Sequence, residues 1–163
     1  MNLDISCAPE LAQLARPPAY APLRADTCGG TAGMTPGRLA GLVRAALADP
    51  ARWWYLVRFN SRQPVHLRLE ASPWCELWLT TTPPGHRGAP YAEGPGSKGT
   101  GCEVLAVVSG QLTGRTITAG GAHGPLLPGR IRVLGEGDAH ELVNPGVSYA
   151  VSLCARASRS SDA

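Results

Sequence analysis

From Val65 onward Gly and Pro break the chain into short apolar or alternating runs: "VHLRLE", "CELWLTT", "EVLAVVSG", "QLTGRTIT", "GRIRVL", "AHELVN" and "SYAVSLCA". Alternation with a period of two, interrupted by turn-forming residues, is the signature of β-strands. Seven or so strands at this spacing predict a sandwich or small barrel, and Ser109-Gly110 between two of the runs reads as a tight hairpin. The segment before them has a different period. Thr35 can cap a helix whose first position is Pro36, and Leu39, Leu42, Val43, Ala46 and Leu47 recur at helical spacing until Asp49-Pro50. The expected architecture is an all-β barrel preceded by an N-terminal helical segment. Residues 1–34, rich in Ala, Pro and Gly, read as an arm packing on that domain, with one short helical stretch at "APELAQLA"; 35–156 form the domain; and the polar tail "RASRSSDA" is expected to fray, leaving 157–163 disordered.

Composition narrows the functional classes. A chain of 163 residues that is 44% hydrophobic can bury one core, and no apolar run approaches the roughly 18 residues of a membrane span. The opening residues place Asp4 and Glu10 where a secretory signal needs positive charge and then an apolar run, which predicts a cytoplasmic protein. The net charge of +3 comes from dispersed arginines, with Lys98 the sole lysine, so no nucleic-acid stripe is formed. Five cysteines without a C-x-x-C pair indicate neither a disulfide framework nor a zinc knuckle.

The run "GDAHELVN", followed by "PGVSYAVSL", resembles the second motif of the cupins, G-x-x-H-x-x-x-N. Within that superfamily the sequence is most similar to the cysteine dioxygenase branch, in which the motif leads into a strand ending "VSLH" and then a tyrosine two residues later. "TPGRLAGLVRAALADPARWWYLVRF" is similar to that family's helix and following segment. "HLRLEASPWCELWLTTTPPGH" is similar to its first barrel strands, and "EVLAVVSGQLTG" to its strand and hairpin after motif one. The resemblance spans roughly Thr35 to Arg156 and implies a cupin barrel, the double-stranded β-helix.

In these enzymes three histidines hold a non-haem iron, two of them in an H-x-H of motif one. The resemblance puts His140 on the third. Aligned from "PPGH" (Pro83 to His86), the H-x-H falls on Tyr91-Ala92-Glu93; aligned from Glu103 to Gly110, it falls near Gly96 and Lys98. The two alignments differ because the loop is longer than the family's. Only the first offers ligands: a phenolate and a carboxylate that, with His140, would make a more anionic site. Glu103 stands where many cupins place a carboxylate ligand. Against this, Tyr91 and Glu93 also suit an ordinary surface loop, Glu103 a charge at a strand edge, and His86 and His123 solvated turns, while His66, alternating with Leu67, can face into or out of the barrel.

Arg68 matches the arginine that grips the substrate carboxylate in this family. A guanidinium enclosed in a barrel needs an anion; on a solvent-facing position it would pair instead with Glu70. Cys154 replaces the family's histidine and Arg156 its catalytic tyrosine, with Tyr149 on the strand entering that motif. Cys154 is either a soft metal ligand or a small buried apolar side chain. The resemblance implies oxidation by dioxygen of cysteine or a small cysteine-derived acid at a rebuilt centre, in a specialised biosynthetic setting. That centre would hold one transition metal ion, iron first and nickel or manganese as alternatives, with His140 and Tyr91 catalytic, Arg68, Cys154 and Tyr149 binding substrate, and His140, Glu93, Tyr91 and Glu103 as ligands. The alternatives are a metal-free cupin performing isomerisation, cyclisation or elimination through acid-base residues such as His140, and a non-catalytic barrel that binds a small acid. A homodimer is a further expectation of the resemblance; neither nucleic acid nor membrane is an expected partner.

Overall fold

A computed structural model describes residues 34–87, 102–116, 122–134 and 140–157. Helix α1, Pro36–Ala48, forms where the apolar spacing predicts it. The Thr35 hydroxyl accepts from the Arg38 amide at 3.3 Å, and Pro36 occupies the first position, where no amide hydrogen is needed. The helix ends at Asp49 because Pro50 cannot continue the hydrogen-bond ladder. Two 3-10 turns follow, Pro50–Arg52 and Trp54–Leu56. They fold Trp53 back under the helix, where its indole nitrogen donates to the Ala46 carbonyl at 2.8 Å.

Eight strands are described: β1 Val65–Ala71, β2 Cys75–Thr82, β3 Glu103–Ser109, β4 Leu112–Thr116, β5 Ala122–Leu126, β6 Ile131–Leu134, β7 His140–Val143 and β8 Ala150–Ala157. They form a five-stranded antiparallel sheet in the order β1-β2-β8-β3-β6 and a three-stranded one in the order β5-β4-β7. Every strand of the larger sheet has two faces. The outer face, carrying Cys75, Leu77, Leu79, Val104, Ala106, Val151, Leu153 and Ala155, packs with Leu39, Leu42, Val43 and Ala46 of α1 around Trp53. Full burial stabilises by about 1.5–3 kcal/mol for each large side chain, so this layer supplies much of the fold's stability. The inner face turns toward the smaller sheet, and Leu105, Val107, Leu134, Ala150 and Cys154 meet Leu112, Leu126 and Leu142.

Three sequence expectations change. Ser109-Gly110 does not close a hairpin, because β3 is flanked by β8 and β6 and β4 by β5 and β7. Instead the chain crosses there from one sheet to the other. Gly110 has a φ of +76°, and a Cβ on it would stand 2.5 Å from the Tyr149 carbonyl oxygen, so only glycine fits that crossing. His123 belongs to strand β5 rather than a turn; β5 tolerates Pro125 because it is an edge. Finally, Arg156 and Ala157 are the last residues of β8, not part of a frayed tail. The arm 1–33 and the residues 158–163 lie outside the described residues. Among the described residues no helix is long and apolar enough to cross a membrane.

Candidate functional site

The alternation of β2 determines which polar groups enter the barrel. With Cys75, Leu77 and Leu79 committed to the outer core, Glu76, Trp78 and Thr80 are left for the inner face. Strand register then aligns them into rows across β1, β2, β8 and β3. One row holds Arg68, Trp78, Cys154 and Leu105; the next toward the end of β8 holds Glu76, Arg156 and Glu103; and on the other side lie His66, Thr80, Ser152 and Val107. Thus the inner wall of the sheet carries two arginines, two carboxylates, a thiol, an imidazole and two hydroxyls. The opposing strands contribute Leu112, Leu126 and Leu142.

Two bonded groups organise this wall. In the deeper one, the Cys154 thiol donates to Glu103 Oε1 at 2.6 Å and Arg156 Nε lies 3.4 Å from Glu103 Oε2. Glu103 and Arg156 keep only 14% and 22% of their side-chain surface exposed, so solvent screens this ion pair weakly. Burial and then the Glu103 charge push the Cys154 thiol well above its ordinary range, with Arg156 partly opposing them. Cys154 is therefore a neutral thiol that holds a carboxylate in place. In the outer group, Glu76 bridges two partners: Oε1 accepts from Arg68 at 3.2 Å and Oε2 from the Trp78 indole at 3.0 Å. The Arg68 guanidinium also lies 5.9 Å from the centre of the Trp78 ring.

His66 joins the wall from β1, its Nδ1 3.1 Å from the Thr80 hydroxyl. Its pKa is lowered by burial first, then by the charges of Arg156 and His86. Asn144, the last residue of the motif that begins at His140, is fully buried and acts as a staple. Its Nδ2 donates to the carbonyls of Thr82 and Ser148, both at 2.9 Å, and its Oδ1 accepts from the Gly146 amide. The backbone of Asn144 also exchanges hydrogen bonds with Gly85 and His86, which ties the turn after β2 to the end of β7.

The structure brings together some of the residues singled out in the sequence. Glu103 and Cys154 are bonded neighbours. Glu103 lies on an internal strand, so it is not an edge charge. Arg68 is not enclosed: its side chain is 55% exposed, and its partner is Glu76 rather than Glu70, because β1 and β2 bring those two side chains together on one face. Tyr149 precedes β8 instead of lying on it, and its ring packs at a 58° tilt against Phe59 with centroids 4.8 Å apart. His140 opens β7, its backbone paired with Thr116. Tyr91 and Glu93 lie outside the described residues. Among the described residues no three His, Cys, Asp or Glu side chains gather to hold a metal ion. Glu76 and Trp78 were missed in the sequence, although the alternation of "CELWLTT" already opposes them to Leu77 and Leu79.

Solved structures share this arrangement of sheets. A protein of Thermus thermophilus superposes with a TM-score of 0.55 at 20% identity, covering 66% of this chain and 94% of its own. A protein with a double-stranded β-helix domain from Klebsiella pneumoniae matches at 0.52 and 18%, covering 62% and 82%. A cupin superfamily protein from Desulfitobacterium hafniense matches at 0.51 and 13%, covering 64% and 86%. The chain has the cupin fold. No protein-family model matches the sequence, and neither does any curated protein. At these identities the cupin likeness carries the architecture alone and does not reach the cysteine dioxygenase branch. The chemistry open to this cupin-fold chain lies in its own inner wall.

Proposed function

We propose that this cupin-fold chain binds a short carboxylic acid against the inner face of its larger sheet and acts on it by proton transfer. The observation that carries this reading is the Cys154–Glu103–Arg156 cluster. Arg156 stands beside one oxygen of Glu103, and the hydrogen bond from the Cys154 thiol fixes the orientation of the other; a carboxylate has about four acceptor sites, so these two neighbours leave room for a proton from the ligand. Arg68 supplies a fork for the ligand's carboxylate at the open end of the wall, and the Trp78 ring a flat apolar surface beside it. Glu103 is the proton acceptor in this reading, and the reaction class is isomerisation or elimination next to a carboxylate. The test is incubation with a panel of short carboxylic acids in deuterated water, followed by NMR. Deuterium entering the carbon next to the carboxylate of at least one acid, and not with Glu103→Gln, is the expected result; binding without exchange would leave a binding barrel.

A second reading is the oxidation by dioxygen of cysteine or a cysteine-derived acid at one transition metal ion, iron or else nickel or manganese. The observation in its favour is that an oxygen and a sulfur donor, Glu103 and Cys154, meet on the inner wall. The described donors do not fit a metal centre as they stand: the Arg156 charge lies 3.4 Å from the second Glu103 oxygen, and burial holds Cys154 as a protonated thiol. In this reading the remaining ligands are His140, Tyr91 and Glu93. Elemental analysis of protein purified without chelator, beside His140→Ala, separates the two readings. Near-stoichiometric metal that disappears in the variant, with oxygen uptake on cysteine, would favour oxidation. Metal-free protein, even after reconstitution, would sink it.

A further inference from the structure

The row His66, Thr80, Ser152 and Val107 lies one step further into the sheet than Arg68, Trp78 and Cys154, and proton transfer at Glu103 does not use it. Its members differ in how their polar atoms are satisfied. The Thr80 hydroxyl is buried and bonded to His66. Ser152 is only 1% exposed, yet its Oγ has no hydrogen-bond partner among the described residues. It lies on the inner face, between Thr80 on β2 and Val107 on β3. A buried hydroxyl without a partner lowers stability unless a polar atom arrives to meet it, and a hydroxyl can both donate and accept.

We infer that Ser152 is the second contact of the ligand site, receiving a hydroxyl or carbonyl oxygen carried by the same molecule whose carboxylate meets Arg68. This rests on the proposed binding of a short carboxylic acid and names its class further. Adjacent rows lie about 7 Å apart along the strand, and β1 and β8, with β2 between them, about 9.5 Å apart across the sheet, so the Arg68 and Ser152 backbones are separated by about 12 Å. The Arg68 side chain reaches over Trp78 and shortens this to a span that a chain of about four carbons, hydrogen-bonded at each end, can bridge, so the ligand is a short acid with an oxygen at the end opposite its carboxylate. Ser152 sets specificity here; it is not placed in the proton transfer.

The test uses the full chain and two probes of equal length, butyrate and 4-hydroxybutyrate, with affinities measured by ligand-observed NMR. Wild type should bind 4-hydroxybutyrate about tenfold more tightly, because leaving the hydroxyl site unmatched forfeits roughly one charge-neutral hydrogen bond. Ser152→Ala should bind both acids equally and melt no lower than wild type, since it removes an orphan polar atom. Ser152→Cys, close in volume and a weak hydrogen-bonder, should lose most of the preference as well. Equal affinities in wild type, or a preference that survives both variants, would overturn the inference. So would a fall of several degrees in the melting temperature of Ser152→Ala, which would show the hydroxyl to be already bonded. If neither acid binds wild type, the reading beneath it fails too; if both bind equally, that reading stands and only the role of Ser152 falls.

Discussion

The two faces of the five-stranded sheet belong to the same strands and are built on opposite principles. Outward, Leu77, Leu79, Val104, Val151, Leu153 and Ala155 form with α1 a core in which every side chain is apolar or small. Inward, one residue over in each strand, Glu76, Trp78, Thr80, Glu103, Ser152, Cys154 and Arg156 stand among the apolar Leu105, Val107 and Ala150. A fold optimised only for stability would fill both faces alike, since replacing buried ion pairs by apolar side chains is often neutral or stabilising. The contrast assigns stability to the outer layer and chemistry to the inner one.

The sharpest way to break that division is to cut into each face in turn and compare the losses. Leu153→Ala should cost about 2–5 kcal/mol by urea unfolding, because it opens a cavity against α1, and should leave the affinity of the folded protein for small acids unchanged. Glu103→Ala should cost less, about 1–3 kcal/mol, from the Arg156 charge and the Cys154 thiol left without their partner, while abolishing deuterium exchange. An outer-face variant that lost exchange at full stability, or a Glu103 variant that kept it, would dissolve the distinction.

A pH series sharpens it further. The Cys154 pKa is raised in the folded state, so above its ordinary value near 9.0 the unfolded chain releases a proton that the folded chain keeps. Stability should therefore fall as pH rises past about 9, by at most about 1.4 kcal/mol per unit. Cys154→Ser keeps a donor for Glu103 without titrating, and its unfolding curves should show a shallower decline over that window. The smallest effect is expected at the rim. Arg68→Ala breaks an exposed pair with Glu76 and should change stability by less than about 1 kcal/mol, yet weaken butyrate binding severalfold.

Legibility followed the same division. The outer face could be read directly, because helical spacing at Leu39, Leu42, Val43 and Ala46 and alternation in β2, β3 and β8 are imposed by burial. The sequence likeness that implied a cupin barrel agrees with the architecture. What could not be read were relations between strands. Nothing local says that β3 and β4 part at Gly110 into different sheets, or that Arg68 meets Glu76 across a hairpin rather than Glu70 along its own strand. Likewise Glu103 and Cys154 are 51 positions apart, and only the β3–β8 register makes them partners. Ser152 carried no signal at all, since an unsatisfied hydroxyl is visible only once its surroundings are known.

Whether ligand chemistry resides on the inner face can be read directly from the tryptophans. Trp78 holds its indole N–H against Glu76 on the inner wall, whereas Trp53 holds its own against Ala46 in the outer core. Titrating butyrate into 15N-labelled protein should shift the Trp78 indole resonance progressively and leave that of Trp53 in place. A shift at Trp53, or saturable binding that leaves Trp78 unmoved, would contradict the account.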